Sequence, residues 1–341
     1  MRQINLNLKS NPYNVYIETS ILDASCDYIS KVYHNKNIYI ITDSNVSKYY
    51  LQNLEDVLSK KFSCKHIIVN AGESSKSFES YQKVLEELID LDIRRNELLI
   101  ALGGGVIGDL TGFVASTIYR GVPYIQIPTS LLAQMDSSIG GKTGIDFYNR
   151  KNIVGAFKQP LLVLIDPNTL KTLPKEEFSN GMAELIKHGI IGNEKLFKAL
   201  LDGVSIDENI IYESLSVKAN VVCKDEFDTG LRMILNFGHT FGHIVELERN
   251  IRHGEAVALG MLMAIKLGID LGVTKKELYE QTKQILMSYN LPYEDIDYHK
   301  YLEKTIYDKK NLAGVVNFIL IDKLGHSIIY PINECKIKEL K

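Results

Sequence analysis

The first half of the chain alternates short apolar runs with amphipathic segments, and this alternation restricts the folds open to it. Six runs rich in branched and aromatic residues indicate strands, at residues 15–17, 38–42, 65–69, 98–102, 124–127 and 162–165. The stretch after Ser77 has helical spacing instead, with one apolar face made of Tyr81, Val84, Leu85 and Leu88. Strands that alternate with helices predict a mostly parallel sheet covered by helices.

The pattern changes near residues 172–174. Strand-like runs nearly vanish after Pro174 until residues 316–320, while long helical stretches occupy residues 255–271 and 275–289. At 341 residues the chain is long enough for two domains. We therefore expect an α/β domain over residues 1–172 and an all-α domain over residues 173–341.

Composition argues against several classes of function. A net charge of -3 with scattered lysines does not favour a nucleic-acid surface. The four cysteines lie far apart without a C-x-x-C pair, so neither a disulfide framework nor a cysteine zinc site is expected, and a reducing compartment fits. The N-terminal residues lack an apolar signal core, and no apolar run reaches the roughly 18 residues of a membrane span. We expect a cytoplasmic protein without a membrane partner.

A glycine-rich turn at residues 103–109 follows the most apolar strand and opens a helix. Glycines let backbone N–H groups approach a pyrophosphate, and the helix N-terminus favours an anion. Asp43 and residues 72–76 follow two other strands, so the three loops should line one crevice. The run is not a G-x-G-x-x-G motif. Glycines needed only for the turn, a turn-forming Asp43 and a solvated Lys76 are therefore the alternative to a nucleotide site.

Residues 128–144 concentrate small hydroxyl residues, glycines and a lysine. Such a segment can bind phosphate, but it lacks the first glycine of a P-loop, which argues against an ATPase. Asp136 and Lys142 are its charged residues and the candidates for chemistry, while an ordinary turn is the alternative.

Three histidines lie close together in the second half. His239 and His243 are spaced i and i+4 on one helical face, and His253 begins the next long helix. They can converge on a divalent cation, although a catalytic site usually takes three protein ligands, often including a carboxylate, so one histidine would be spare. Glu184 can complete such a site and shares a helical face with Lys187 and His188. Core or capping histidines and a solvated Glu–Lys face are the alternative.

Taken together, these residues closely resemble the 3-dehydroquinate synthase family of sugar phosphate cyclases. The resemblance extends over nearly the whole chain and rests on Asp43, residues 72–76, 103–109, 120–122, 128–129, 136–142, 151–152, 155–157, 183–187, 235–239, His243, residues 253–255 and 308–310. It implies an N-terminal NAD-binding α/β domain, a C-terminal helical metal-binding domain and a homodimer. Ser130 replaces a common threonine and keeps its hydroxyl. Arg150 replaces a common glycine, and we expect it to stiffen a loop.

The resemblance also assigns cofactor residues. It implies zinc or cobalt ligands at Glu184, His239 and His253, which leaves His243 as the spare imidazole. It implies NAD contacts at Asp43, Glu73, Ser74, Ser75, Lys76, Gly104, Gly105, Val106, Ile107, Gly108, Asp109, Thr129, Ser130, Lys142, Lys151, Thr169, Leu170, Lys171 and Thr172.

The catalytic residues that the resemblance implies are Arg120, Asp136, Lys142, Asn152, Lys187, Lys218, Arg232, Asn236 and His243. Lys218 and Arg232 are expected chiefly at a substrate carboxylate, and Lys142, Asn152 and Asn236 chiefly at a phosphate. Lys187 and His243 are expected to move protons or polarise hydroxyls. Arg120 is expected to reach the phosphate site of a neighbouring subunit, and Lys309 or Lys310 would add a further cation.

The implied reaction converts 3-deoxy-D-arabino-heptulosonate 7-phosphate to 3-dehydroquinate and phosphate, in the shikimate pathway of aromatic amino-acid biosynthesis. It combines transient oxidation by NAD, phosphate elimination, re-reduction and aldol cyclisation, so the cofactor is regenerated. The alternatives are a related metal-dependent dehydrogenase, a cyclase acting on another sugar phosphate, and a non-catalytic nucleotide-binding protein. Lys218 and Arg232, which suit a carboxylate, speak against the first two.

Overall fold

The chain forms two compact units. A computed structural model describes residues 1–148, 150–306 and 315–340. The first unit comprises Met1–Pro174 and Asp207–Tyr212, and the second comprises Lys175–Ile206 and Glu213–Lys341. Lys309 and Lys310, for which a substrate contact is expected, lie outside the described residues. Within the described ranges, no helix is both long and apolar enough to span a membrane.

A seven-stranded sheet is the centre of the first unit, with the strand order β1-β2-β9-β6-β5-β3-β4. Its strands are β1 (Arg2–Leu6), β2 (Tyr13–Ile17), β3 (Asn37–Asp43), β4 (Ser63–Val69), β5 (Leu98–Gly103), β6 (Tyr124–Pro128) and β9 (Leu162–Ile165). Among the described strands of this sheet, β1 and β2 pair antiparallel and the other pairs are parallel. All six strands expected from the sequence are present, and the mostly parallel sheet is confirmed.

Alternating residues of the central strands pack into two separate apolar cores. Ile38, Ile40 and Ile100 belong to one core, whereas Tyr39 and Leu99 belong to the other. Because successive side chains of a strand point to opposite faces, helices must cover the sheet on both sides. The helices of this unit are α1 (Ser25–Ser30), α2 (Gln52–Leu58), α3 (Phe78–Asp90) and α4 (Gly105–Thr117).

Ser77 caps the start of α3, because its side chain accepts a hydrogen bond from the Ser80 backbone N–H at 3.2 Å. A separate antiparallel hairpin is formed by β7 (Lys142–Phe147) and β8 (Arg150–Phe157). The expectation that Arg150 stiffens a loop is wrong, since Arg150 begins β8 and pairs with Phe147.

The second unit is helical as expected, with one hairpin added. Its helices are α5 (Lys175–Gly192), α6 (Glu194–Leu201), α7 (Glu208–Lys224), whose first residues group with the first unit, α8 (His239–Arg249), α9 (His253–Asp270), α10 (Glu277–Ser288), α11 (His299–Ile306) and α12 (Glu334–Glu339). The run at residues 316–320 forms β10 (Val315–Lys323), which pairs with β11 (His326–Asn333). The expectation of an all-α second domain is therefore wrong, because the unit contains this hairpin. The inward residues of β10 are apolar enough to bury against helices.

Candidate functional site

Glu184, His239 and His253 converge in the second unit. They come from α5, from the first residue of α8 and from the first residue of α9, respectively. One ligand atom of each residue lies within 4.8 Å of the other two. The three side chains that the resemblance implies as metal ligands therefore form one cluster, although His253 is separated from Glu184 by 69 positions of the sequence.

Close backbone approaches bring the three helices together. A Cβ atom on Gly254 would lie 2.2 Å from the Asn180 backbone oxygen, so only glycine allows the start of α9 to lie against α5. A Cβ atom on Gly260 would lie 1.9 Å from the Gly238 backbone oxygen, which fixes α9 against the beginning of α8. The glycine after His253 is thus needed for the position of that histidine.

The donor atoms of the cluster are spaced as metal ligands would be. The Nε2 atoms of His239 and His253 lie 3.4 Å and 3.5 Å from Oε1 of Glu184. These distances are long for hydrogen bonds. They match the edge of a tetrahedron with zinc–ligand bonds of about 2.0–2.1 Å, which is roughly 3.3 Å. The residues present therefore fit a divalent cation.

Both histidine rings also have an oxygen partner at Nδ1, the ring nitrogen that does not face Glu184. Nδ1 of His239 lies 3.1 Å from the Phe237 backbone oxygen, and Nδ1 of His253 lies 3.4 Å from Oε2 of Glu246. A backbone oxygen or carboxylate at Nδ1 leaves Nε2 as the available ligand atom and orients the ring.

Opposing charges set the protonation of the cluster. Burial alone would raise the pKa of Glu184, but the Lys187 ammonium and the two histidines hold that pKa well below its usual range. Burial and Lys187 lower the pKa of His239. Burial also tends to lower the pKa of His253, yet the carboxylates of Glu184 and Glu246 raise it to about 9. The Glu184 carboxylate is thus ionised, and a cation that binds at Nε2 of His253 would displace a proton from that ring.

Lys187 and His243 adjoin this cluster. Lys187 forms an ion pair with Glu184, and the two side chains are only 2% and 1% exposed, so the alternative of a solvated Glu–Lys face is wrong. The His243 ring centroid lies 5.4 Å from that of His239. His243 is not among the three clustered ligand residues. His188, on the same helix as Glu184, is fully buried and its Nδ1 lies 2.9 Å from the Ser214 hydroxyl.

Other cationic and amide residues of the second unit lie on neighbouring elements. Lys218 is buried on α7, and Arg232 is buried in the short helix Leu231–Asn236, which ends at Asn236. The Arg232 guanidinium donates to the Glu226 backbone oxygen at 2.8 Å. Burial tends to raise the pKa of Asp225, but the backbone N–H groups of Arg232, Thr229 and Gly230 lower it to about 2. The contacts within residues 225–232 therefore fix the position of Arg232.

In the first unit, the expected nucleotide residues follow the carboxyl ends of parallel strands. Asp43, Val69, Gly103, Pro128 and Ile165 end β3, β4, β5, β6 and β9. Asp43 is itself the last residue of β3, and the expected residues of segments 73–76, 104–109, 129–130 and 169–172 follow the ends of β4, β5, β6 and β9. Lys142 and Lys151 lie in the β7–β8 hairpin instead. Parallel strands end at the same edge, so the segments share the edge where ligands of open α/β sheets bind.

Several contacts connect these segments. Lys76 Nζ lies 2.5 Å from Oδ2 of Asp109, and both side chains are largely buried. The Thr129 N–H donates to the Gly103 backbone oxygen at 2.9 Å. The Gln134 side chain donates to the Thr169 hydroxyl at 2.9 Å. The glycine turn, Lys76 and the segment before Thr172 are therefore parts of one connected edge.

Asp43 is partly buried and has a structural role at the end of β3. One of its carboxylate oxygens accepts the N–H groups of Asn45 and Val46 at 2.8 Å and 3.0 Å. This is the turn-forming role that the sequence left open. The contact orients the carboxylate at the strand end, so the turn and a ligand contact do not exclude each other.

The remaining expected residues of the first unit lie on three elements. Asp136 belongs to the helical turn Ala133–Ser137, and Lys142, Lys151 and Asn152 belong to the β7–β8 hairpin. Arg120 is exposed beside Gly121, in a turn where Tyr119, Arg120 and Gly121 all have positive φ. The expected catalytic residues are thus distributed over both units.

Sequence reasoning missed Glu246. This residue lies seven positions after His239 and three after His243 on α8, so all three share one helical face. A carboxylate at that spacing from a suspected ligand is a readable signal, but only the fold shows that its partner is His253.

Comparison with solved structures defines the class of the fold. A 2-deoxy-scyllo-inosose synthase complexed with carbaglucose-6-phosphate, NAD+ and Co2+ superimposes with a TM-score of 0.87 at 23% identity, covering 99% of each chain. A 2-epi-5-epi-valiolone synthase from Streptomyces hygroscopicus with NAD+ and Zn2+ bound gives a TM-score of 0.87 at 24% identity, covering 97% of this chain and 96% of that one. The fold is that of the sugar phosphate cyclases.

Sequence comparison is more specific. The profile described as 3-dehydroquinate synthase N-terminal matches residues 66–180, and the profile described as 3-dehydroquinate synthase C-terminal matches residues 181–311. A 3-dehydroquinate synthase of Clostridium botulinum is 42% identical, covering 98% of this chain and 99% of the relative. One of Crocosphaera subtropica is 43% identical, covering 94% and 93%. The chain belongs to the 3-dehydroquinate synthase family.

The contact between Glu246 and His253 predicts a change in metal affinity. Glu246→Gln should weaken Zn2+ or Co2+ binding by about 10- to 100-fold, the usual effect of losing a carboxylate behind a histidine ligand. Affinity is measured by competition with a chelator. Glu248→Gln is the matched control, because Glu248 lies on the same helix and pairs with Lys304 instead. An unchanged affinity in Glu246→Gln would show that Glu246 does not support the ligand.

Proposed function

We propose that the chain is a 3-dehydroquinate synthase, which converts 3-deoxy-D-arabino-heptulosonate 7-phosphate to 3-dehydroquinate and phosphate. The observation that carries this proposal is the Glu184, His239 and His253 cluster in a chain that matches the family over both units. The enzyme is a phosphate-eliminating carbon–oxygen lyase that depends on NAD and a divalent metal.

The first unit is the proposed NAD-binding domain, and the second is the proposed metal- and substrate-binding domain. NAD+ with Co2+ or Zn2+ is bound to the two cyclases of similar fold. When bound here, NAD would accept and return a hydride, and Zn2+ or Co2+ at Glu184, His239 and His253 would supply Lewis acidity. The segments at the carboxyl edge of the sheet hold the nucleotide.

The chain's own residues bind and orient the substrate. Lys218 and Arg232 bind its carboxylate, and the planar guanidinium suits a two-point contact. Lys142, Asn152 and Asn236 bind its phosphate, and Asp136 orients the reacting hydroxyls. Lys187 and His243 hold or move protons at the substrate hydroxyls, because both adjoin the metal-ligand cluster without belonging to it.

A dehydrogenase of similar fold is the second candidate. An iron-containing alcohol dehydrogenase from Thermococcus thioreducens has a TM-score of 0.66 at 17% identity, with 96% of each chain covered. A coupled assay with dehydroquinate dehydratase separates the candidates, since only the proposed activity yields its substrate. Phosphate release from several sugar phosphates would reveal a cyclase of another specificity. Release from a different sugar phosphate, with none from the proposed substrate, would contradict the proposal.

NAD is expected to be recycled, because the overall reaction is redox-neutral. With substrate in large excess, the moles of 3-dehydroquinate formed should exceed the moles of NAD many-fold. Product is measured by the coupled assay and NADH by its absorbance. NADH that accumulates in proportion to consumed substrate would instead identify a simple dehydrogenase.

His243→Ala is expected to retain metal and NAD but to lose turnover by about 10²–10⁴-fold, the range typical of a positioned acid or base. Metal content, NAD binding and kcat are measured on the purified variant. His326→Ala, an exposed histidine of the same unit, is the control. Loss of metal together with activity would show that His243 is a metal ligand. An unchanged kcat would show that His243 has only a structural role.

We also propose a cytoplasmic homodimer. The described cysteines are all free thiols, which suits a reducing compartment. The β7–β8 hairpin exposes Phe147, Tyr148, Ile153 and Phe157, and such apolar surface is typical of an interface. The exposed Arg120 belongs to the same unit and would enter the phosphate site of the second copy.

A shared site predicts complementation between two inactive chains. Arg120→Ala mixed with Lys142→Ala should recover about a quarter of wild-type activity, because half of randomly mixed two-fold dimers are hybrids with one intact site. Arg120→Ala mixed with the double variant Arg120→Ala/Lys142→Ala is the control, since no site can be restored. Mixtures that exchange subunits without recovering activity would argue against the shared site.

A further inference from the structure

Asp146 stands at an irregular point of the β7–β8 hairpin. Ile145 pairs with Val154 and Phe147 pairs with Arg150, so residues 151–153 of β8 lie opposite the single residue Asp146. Extra residues on one strand form a bulge, which bends the strand and redirects its side chains. The bulge contains Lys151 and Asn152.

The base of this hairpin is fixed by close backbone packing. A Cβ atom on Gly155 would lie 2.2 Å from the Thr143 backbone oxygen, which leaves no freedom between the strands there. At the bulge, Asn152 has a φ of 54°, a left-handed conformation that is uncommon within a strand. Asparagine adopts this conformation more readily than most residues, and an external contact can select it over the extended conformation.

Asp146 supplies this contact and a second one. Its Oδ1 accepts the Asn152 backbone N–H at 2.8 Å. Its own N–H donates to the Lys76 backbone oxygen at 2.8 Å. The Asp146 carboxylate also acts on the Lys76 side chain. Burial would lower the pKa of Lys76, but Asp109 chiefly, with Glu73 and Asp146, raises it. Asp146 therefore touches the segment of Lys76 on one side and Asn152 on the other.

We propose that Asp146 is a positioning residue that holds the bulge and aims Asn152, and with it Lys151, while anchoring the hairpin on the Lys76 segment. The inference rests on the proposed function, in which Asn152 contacts the substrate phosphate and Lys76 contacts NAD. Asp146 itself is not among the residues proposed to contact either ligand.

The test compares variants that remove or keep the side-chain oxygen that accepts the Asn152 N–H. Asp146→Ala removes it and should raise the KM for the sugar phosphate about tenfold, with kcat changed less than about twofold, as for loss of one charge-assisted hydrogen bond that aligns a binding group. Inhibition by inorganic phosphate should weaken by the same factor. Asp146→Asn keeps an acceptor oxygen, so its KM should stay within about threefold of the wild-type value. Asp90→Ala, at the exposed end of α3, controls for the lost charge.

Amide hydrogen exchange tests the structural part without activity. Asp146→Ala should accelerate exchange of the amides in residues 150–154, and Asp146→Asn should not. If Asp146→Ala does not fold, Asp146→Ser replaces it, since its shorter side chain cannot reach the Asn152 N–H in the same way. Unchanged KM and exchange in the variant without the acceptor, equal damage in Asp146→Asn, or a loss confined to kcat would each overturn the proposal. A wild-type chain that makes no 3-dehydroquinate would refute the proposed function, whereas the exchange experiment would still decide whether Asp146 holds the bulge.

Discussion

The arrangement of the second unit depends on the buried carboxylate of Glu184. An isolated buried carboxylate costs several kcal/mol, so the chain must surround it with compensating groups. Lys187 provides one positive charge from the next helical turn, and the Nε2 atoms of His239 and His253 face the same oxygen. Those distances are too long for good hydrogen bonds and suit ligands around a shared cation. The proposed divalent cation would complete the compensation of this buried charge.

This cluster requires tight helix packing rather than a particular loop. His239 and His253 are each the first residue of a helix, and α9 can lie against α5 and α8 only because Gly254 and Gly260 lack side chains. In the first unit, a different constraint brings residues together. Parallel strands all end at one sheet edge, so segments far apart in sequence share that edge through topology alone.

The sequence predicted the parts of the fold that depend on periodicity. The six strands of the parallel sheet and the helices from Ser77 and His253 follow from apolar spacing, and the cluster of Glu184 with two histidines followed from resemblance to a family. Features that depend on how neighbouring elements pack were not predicted, even where the two partners are only six or seven residues apart. Glu246 behind His253 and the bulge opposite Asp146 arise from packing and strand register, which local spacing does not encode. The β10–β11 hairpin was half predicted, because β11 is too exposed to show a strong strand pattern.

Anomalous X-ray scattering at the zinc absorption edge tests the central claim most directly. Crystals of the zinc-loaded protein should show one strong peak about 2.0–2.2 Å from a Glu184 carboxylate oxygen and from Nε2 of His239 and His253, as zinc–nitrogen and zinc–oxygen bonds require. His243 should lie outside bonding distance of that peak. A fully loaded crystal with its peak elsewhere, or with His243 replacing one of the three ligands, would contradict the account.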